Sequence, residues 1–143
     1  MKTRVWRCII VYGCIGVLLC LAYLALEVGA YFSNIILPWH RGSALAATCE
    51  MGGLAPFPDT ASRIDISTSG SAFTRTFEAT FHAPPEDIRT WVRKSKRLRD
   101  NKPRSISPSR HHYEIRPGEG GANGGWVEID WESAEVAVYM EWS

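Results

Sequence analysis

Residues 73–98, FTRTFEATFHAPPEDIRTWVRKSKRL, change period midway, and that change decides the fold class. Up to His82, Phe73, Arg75, Phe77, Ala79 and Phe81 fall on one side, with Thr74, Thr76, Glu78, Thr80 and His82 on the other. Period-two alternation rich in threonine and phenylalanine predicts a strand. From Ile88 the spacing becomes three and four: Ile88, Trp91, Val92, Ser95 and Leu98 share one stripe, and Arg89, Arg93, Lys96 and Arg97 take the remaining surface. That is a helix with one apolar face. Pro84 and Pro85 suit its first turn, where a missing N–H costs nothing, and Glu86 and Asp87 put negative charge at the positive end of its dipole. Arg99 would rotate onto the apolar side, so the helix is expected to end near Leu98.

Working outward, Ile64 and Ile66 alternate with Asp65 and Ser67, giving a strand over 62–68 that Ser69-Gly70-Ser71 turns into the next. Asp100 to Arg110 reads as a surface loop, and Tyr113 and Ile115 mark a short strand. Pro117 to Gly125 holds five glycines, a composition unsuited to helix or strand. Two strands follow around Ser133-Ala134: Val127, Ile129 and Trp131 oppose Trp126, Glu128, Asp130 and Glu132, and Val136, Val138, Met140 and Trp142 oppose Glu135, Ala137, Tyr139 and Glu141. The expected fold is α+β: an antiparallel sheet of about five strands in the order ββαβββ, with one helix packed on its apolar face. Trp91 should be buried with Phe77, Phe81, Trp131 and Trp142.

The eight residues Phe81 to Ile88, FHAPPEDI, resemble the strand-to-helix entry of ligand-binding helix-grip domains. The resemblance implies a strand running into a capped helix, and no function is carried over from it.

The amino-terminal region has a different character. Cys8 to Leu26 is a run of nineteen residues without charge or proline, preceded by Lys2, Arg4 and Arg7 and closed by Glu27. At ~1.5 Å per residue such a helix reaches about 28 Å, close to the ~30 Å hydrocarbon thickness of a bilayer. Residues 1–27 are therefore read as a signal anchor, in the membrane through residues 8–26. The basic residues before it predict a cytoplasmic amino terminus and an extracytoplasmic carboxy-terminal domain in a single-pass chain. Val28-Gly29-Ala30 is a small-x-small site, and cleavage after Ala30 would instead give a secreted domain. Tyr31, Phe32 and Trp39 suit an interfacial belt. Residues 28–60, with small residues, glycines and Pro56 and Pro58, read as a juxtamembrane segment and linker, leaving 61–143 as the domain.

The formal net charge of +1 gives no global pull toward nucleic acid, and none is expected as a partner. Locally, Arg89 to Arg104 carries eight bases and one acid, and Glu114 onward carries seven acids and one base. The basic residues Arg89, Arg93, Lys96 and Arg97 are a candidate interaction surface, expected as a solvated helix face with some pairing to the acidic strands.

Catalytic chemistry finds few footholds. Glu128, Asp130 and Glu132 share a predicted strand face at spacings of about 6.5–7 Å, overlapping the carboxylate separations of glycoside hydrolysis. They are the candidate acid and base of a small hydrolase. His111 and His112 are adjacent and should face opposite ways, so they are poor co-ligands. Ser105, Ser107 and Ser109 lie near His111 without an oxyanion donor, and the glycine-rich segment lacks the lysine of a phosphate loop. Cys8, Cys14 and Cys20 lie in the apolar run, leaving Cys49 alone outside it. No cofactor or metal is expected. The leading expectation is a non-catalytic protein-contact module tethered to a membrane, meeting an envelope or membrane protein.

Overall fold

A computed structural model describes residues 2–71, 73–118 and 122–143, with side chains from residue 11 onward. The chain divides between Ser33 and Asn34 into two compact units. The first is a single helix, α1 (Lys2–Phe32). It runs past the expected close at Glu27, since no proline intervenes before Pro38. Its stretch Val11–Phe32, 22 residues of mean hydropathy 2.1, is long and apolar enough to cross a membrane. The side chains of Lys2, Arg4, Arg7 and Cys8 lie outside those described.

The second unit holds α2 (Arg41–Gly52), β1 (Ser62–Gly70), β2 (Arg75–His82), α3 (Pro85–Lys94), α4 (Lys96–Arg99), β3 (Arg104–Ser105), β4 (Arg110–Ile115), β5 (Ala122–Asp130) and β6 (Glu135–Trp142). The strands form one antiparallel sheet in the order β1-β2-β6-β5-β4-β3. The α+β class is as expected, with six strands; the sixth, β3, is a two-residue pairing with β4 inside the stretch read as loop.

One face of the sheet is the core. Ile66, Ala79, Val138, Val127 and Tyr113 form one cross-strand row, with Phe81, Val136 and Ile129 in another, all buried. Ile88, Trp91 and Leu98 cover it from the helices. Trp91 meets Phe81 edge-on at 5.4 Å, and Phe57 lies 4.5 Å from Phe81. Of the other expected partners, Phe77 and Trp131 pack at the margin, half-buried. Trp142 is 38% exposed, because β6 carries it to the end of the sheet.

Three local readings are corrected. The stretch 41–60, read as linker, contains α2, whose Thr48, Cys49 and Gly52 are buried. Its inward residues are small, so it approaches β6, β5 and β2 closely; a Cβ on Gly52 would stand 3.3 Å from the Met140 sulfur. Gly53, at φ +57, then ends the helix in the left-handed region. Its N–H and that of Leu54 return to the Glu50 and Cys49 carbonyls, the paired bonds of a Schellman cap. Residues 54–57 continue across α3: Trp91 Nε1 donates to the Ala55 carbonyl (2.9 Å), and the Ala55 N–H donates to Ser95 Oγ (3.0 Å). Ser95, whose hydroxyl accepts that bond, stands out of helical conformation (ψ 103), so the single helix expected through Leu98 is two, α3 and α4. Finally, β5 begins at Ala122 and runs through Gly124 and Gly125, where no strand was expected. The register slips between Ala122 and Gly124, which sits at φ +116, and a Cβ on Gly125 would collide with the Tyr139 carbonyl at 2.0 Å. Here glycine shapes a bulged strand instead of ending it. Glu119, Gly120 and Gly121 lie outside the described residues.

Asn34 Nδ2 donates to the Gly70 carbonyl (3.2 Å) and the Arg41 guanidinium to the Ile64 carbonyl, so both ends of the edge strand β1 are capped by side chains from 34–41.

Candidate functional site

The second face of the sheet is polar and uncovered. Alternation places Thr80, Ala137, Glu128 and His112 in one cross-strand row and Glu78, Tyr139, Trp126 and Glu114 in the next. Every one of these residues is half-buried or exposed. At the centre, Trp126 and Tyr139 stack with centroids 5.6 Å apart and planes 7° from parallel. His112 stacks on Trp126 at 5.9 Å and 28°. Three rings from three adjacent strands thus stand as a ladder, holding one another upright and presenting their edges outward. A shallow cavity of about 460 Å³ adjoins them, lined by Asn101, Lys102, Arg104, His112, Glu114, Gly125 and Trp126.

Beside the ladder, the candidate carboxylates converge on one cation. Arg110 lies 3.3 Å from Glu128 and 3.1 Å from Asp130. Glu132 does not join them: β5 ends at Asp130, and Glu132 sits in the following turn with its N–H donating to Asp130 Oδ1 (3.0 Å). The Arg110 hydrogen bond, with that backbone bond, holds the Asp130 carboxyl below the usual carboxylate range. A carboxyl kept ionised cannot serve as a general acid near neutral pH. His112 Nδ1 lies 3.7 Å from Glu128 and His82 Nε2 3.6 Å from Glu135, so two further imidazoles neighbour carboxylates on this face.

The basic candidates meet different neighbours. Arg89 lies over the Trp131 ring at 5.3 Å, and Arg93 donates to Thr90 Oγ1 on its own helix. Beyond the Ser95 break, Lys96 is exposed, and Arg97 donates to the Arg116 carbonyl (2.7 Å). The acids of β5 are met by Arg110 of β4 instead of by the helix, because helix and acids occupy opposite faces.

His111 and His112 point oppositely, as adjacent strand residues must: His111 Nδ1 accepts from Trp131 Nε1 (3.1 Å), whereas His112 joins the ladder. Ser105 and Ser107 spend their hydroxyls within the loop, on the Ser107 carbonyl and the Arg110 N–H. No cluster of three metal-ligating side chains occurs among the described residues. Cys49 is buried, which pushes its thiol up to about 11 despite a backbone hydrogen bond at Phe57.

Sequence reasoning passed over Trp126, Tyr139 and Arg110. Two aromatic residues at outward positions of neighbouring strands were the available signal for the ladder; their register was not. No protein-family model, curated protein or solved structure matches the chain.

Proposed function

We propose that the protein is a single-pass membrane-anchored module whose extracytoplasmic α+β domain acts by non-catalytic contact with another protein, through the open face of its sheet. The observation that carries this reading is the uncovered ladder of His112, Trp126 and Tyr139, with ion-paired carboxylates beside it. Aromatic rings that are already upright lose little freedom on binding, and a rim of paired charges favours register and selectivity over chemistry. The anchor is α1, supported by its length and apolarity and by Lys2, Arg4 and Arg7 before it. The hydrolase reading is weaker, because Glu128 and Asp130 share the Arg110 guanidinium and Asp130 is held ionised.

A photo-crosslinking side chain at Tyr139 of the full chain, in the membranes of its own cells, tests the contact. The expected outcome is one discrete protein adduct that fades when Trp126→Ala is added, while an Asp130→Asn variant alters no hydrolase activity. A crosslinker at Tyr139 that captures no protein sinks the proposal, and hydrolysis lost with Asp130→Asn turns it into the enzyme reading.

A further inference from the structure

The β1–β2 hairpin ends in an exposed aromatic residue that neither the fold nor the ladder employs. Phe73 is 83% exposed, above Ile35 (59%), Trp39 (54%) and Ile106 (50%) in the same unit. The described residues on either side of position 72 are nevertheless tied together: Ser71 Oγ accepts from the N–H groups of Phe73 and Thr74, each at 3.2 Å, and the Ser71 N–H donates to the Thr74 carbonyl at 2.7 Å. A phenylalanine whose backbone is hydrogen-bonded while its side chain stands in the open is a presented group.

Covalent distance says what it is presented to. Asn34 follows the last residue of α1, Phe32, by two positions, no more than about 7 Å of chain. Asn34 in turn donates to the Gly70 carbonyl at the turn end of the hairpin, 3.2 Å away. Whatever angle α1 takes to the domain, the hairpin stays within a short reach of the point where the apolar helix ends. Ile35, next to Asn34, adds a second exposed apolar side chain there.

We infer that the β1–β2 hairpin is a second membrane contact, inserting Phe73, flanked by Ile35, into the interfacial layer of the bilayer that holds α1. The inference rests on α1 being lodged in lipid. The occupant is a lipid surface: aromatic and aliphatic side chains favour the headgroup–acyl boundary, and the hairpin offers no cationic cluster that would demand anionic headgroups. A two-point attachment limits how the domain swings about its tether, so the sheet meets partners in a restricted orientation.

The test places a photoreactive side chain singly at Leu18, Ile35, Phe73 or Ile106 of the full chain in phosphatidylcholine vesicles. Ile106 lies in the β3–β4 loop, at the diagonally opposite corner of the sheet, and serves as the reference. Position 73 should give a lipid-adduct yield about tenfold that at 106, the contrast between a group buried ~5–10 Å into the boundary and one kept in water. Position 35 guards against a substitution at 73 that disturbs the turn, and it should follow the same pattern. Lipid adducts at 18 with none at 35 or 73 overturn the second contact and leave the anchor standing. Adducts at 73 to another copy of the chain overturn it as well. An absence of lipid adducts at 18 overturns both.

Discussion

The two faces of the sheet are built from the same strands and differ in what completes them. The inner face is closed by side chains that have no alternative: Phe81, Ile88, Ile129, Val136, Val138 and Met140 are wholly removed from solvent. The outer face is completed only by its own neighbours, rings on rings and carboxylates on Arg110. Stability therefore belongs to one side and the proposed recognition to the other, and strand alternation keeps them apart. A change on one side should leave the other's property nearly intact.

The largest break in that division should come from Phe81→Ala, which empties the contact among Phe57, Phe81 and Trp91. A loss of about 3–5 kcal/mol is expected in chemical unfolding of the detergent-solubilised chain. An effect under ~1 kcal/mol, well short of the usual range for such truncations, would mean that the inner face is loosely packed. Thr48→Leu comes next. Thr48 is fully buried on α2, and a larger side chain should cost about 1–3 kcal/mol by wedging helix from sheet. A spacer would tolerate that change without any shift in the unfolding midpoint, so this variant sharpens where the inner face ends.

The smallest effect belongs to the outer face and shows itself in pH. Because the folded-state pKa of Asp130 is lowered, the unfolded chain binds its proton first on acidification. The Arg110 pairing thus contributes its full stability above the ordinary carboxylate value of about 3.9, and that contribution is lost as pH falls through the lowered folded value. Unfolding midpoints measured from pH 6 to pH 2 should fall less steeply in Arg110→Ala than in the parent chain. Parallel curves would remove the pair from any role in stability.

How much of this was legible in the sequence follows from where the information lay. Strong period-two runs in β2, β5 and β6 and the stripe of α3 were readable because each sets a regular apolar row against a mostly polar one. The helix α2 was not. It meets the sheet through Thr48, Cys49 and Gly52, small residues whose value lies in the close approach they allow, and a scan for bulky periodicity passes over them. Gly52-Gly53 and Pro56-Phe57-Pro58 looked like spacer chemistry, yet they cap a helix and lay a chain across Trp91. The Ser95 break was hidden for a related reason: it falls where the hydroxyl meets a partner forty residues away at Ala55. In the candidate site, Glu128 and Asp130 were identified, but the cation that ties them together, and the ring ladder beside them, depend on pairing of β4, β5 and β6 that no single strand reveals.

The bonds from Asn34 and Arg41 to the backbone of β1 bear on what happens if the chain is cut after the proposed anchor. An outermost strand with bare carbonyls invites another chain to dock alongside it, the first step of fibre growth. Both guarding residues lie carboxy-terminal to the small-residue site at Ala30, so a cut there would release the body with its seam still closed. A cut even a dozen residues further on would strip both guards away and leave the released fragment prone to stick to its own kind.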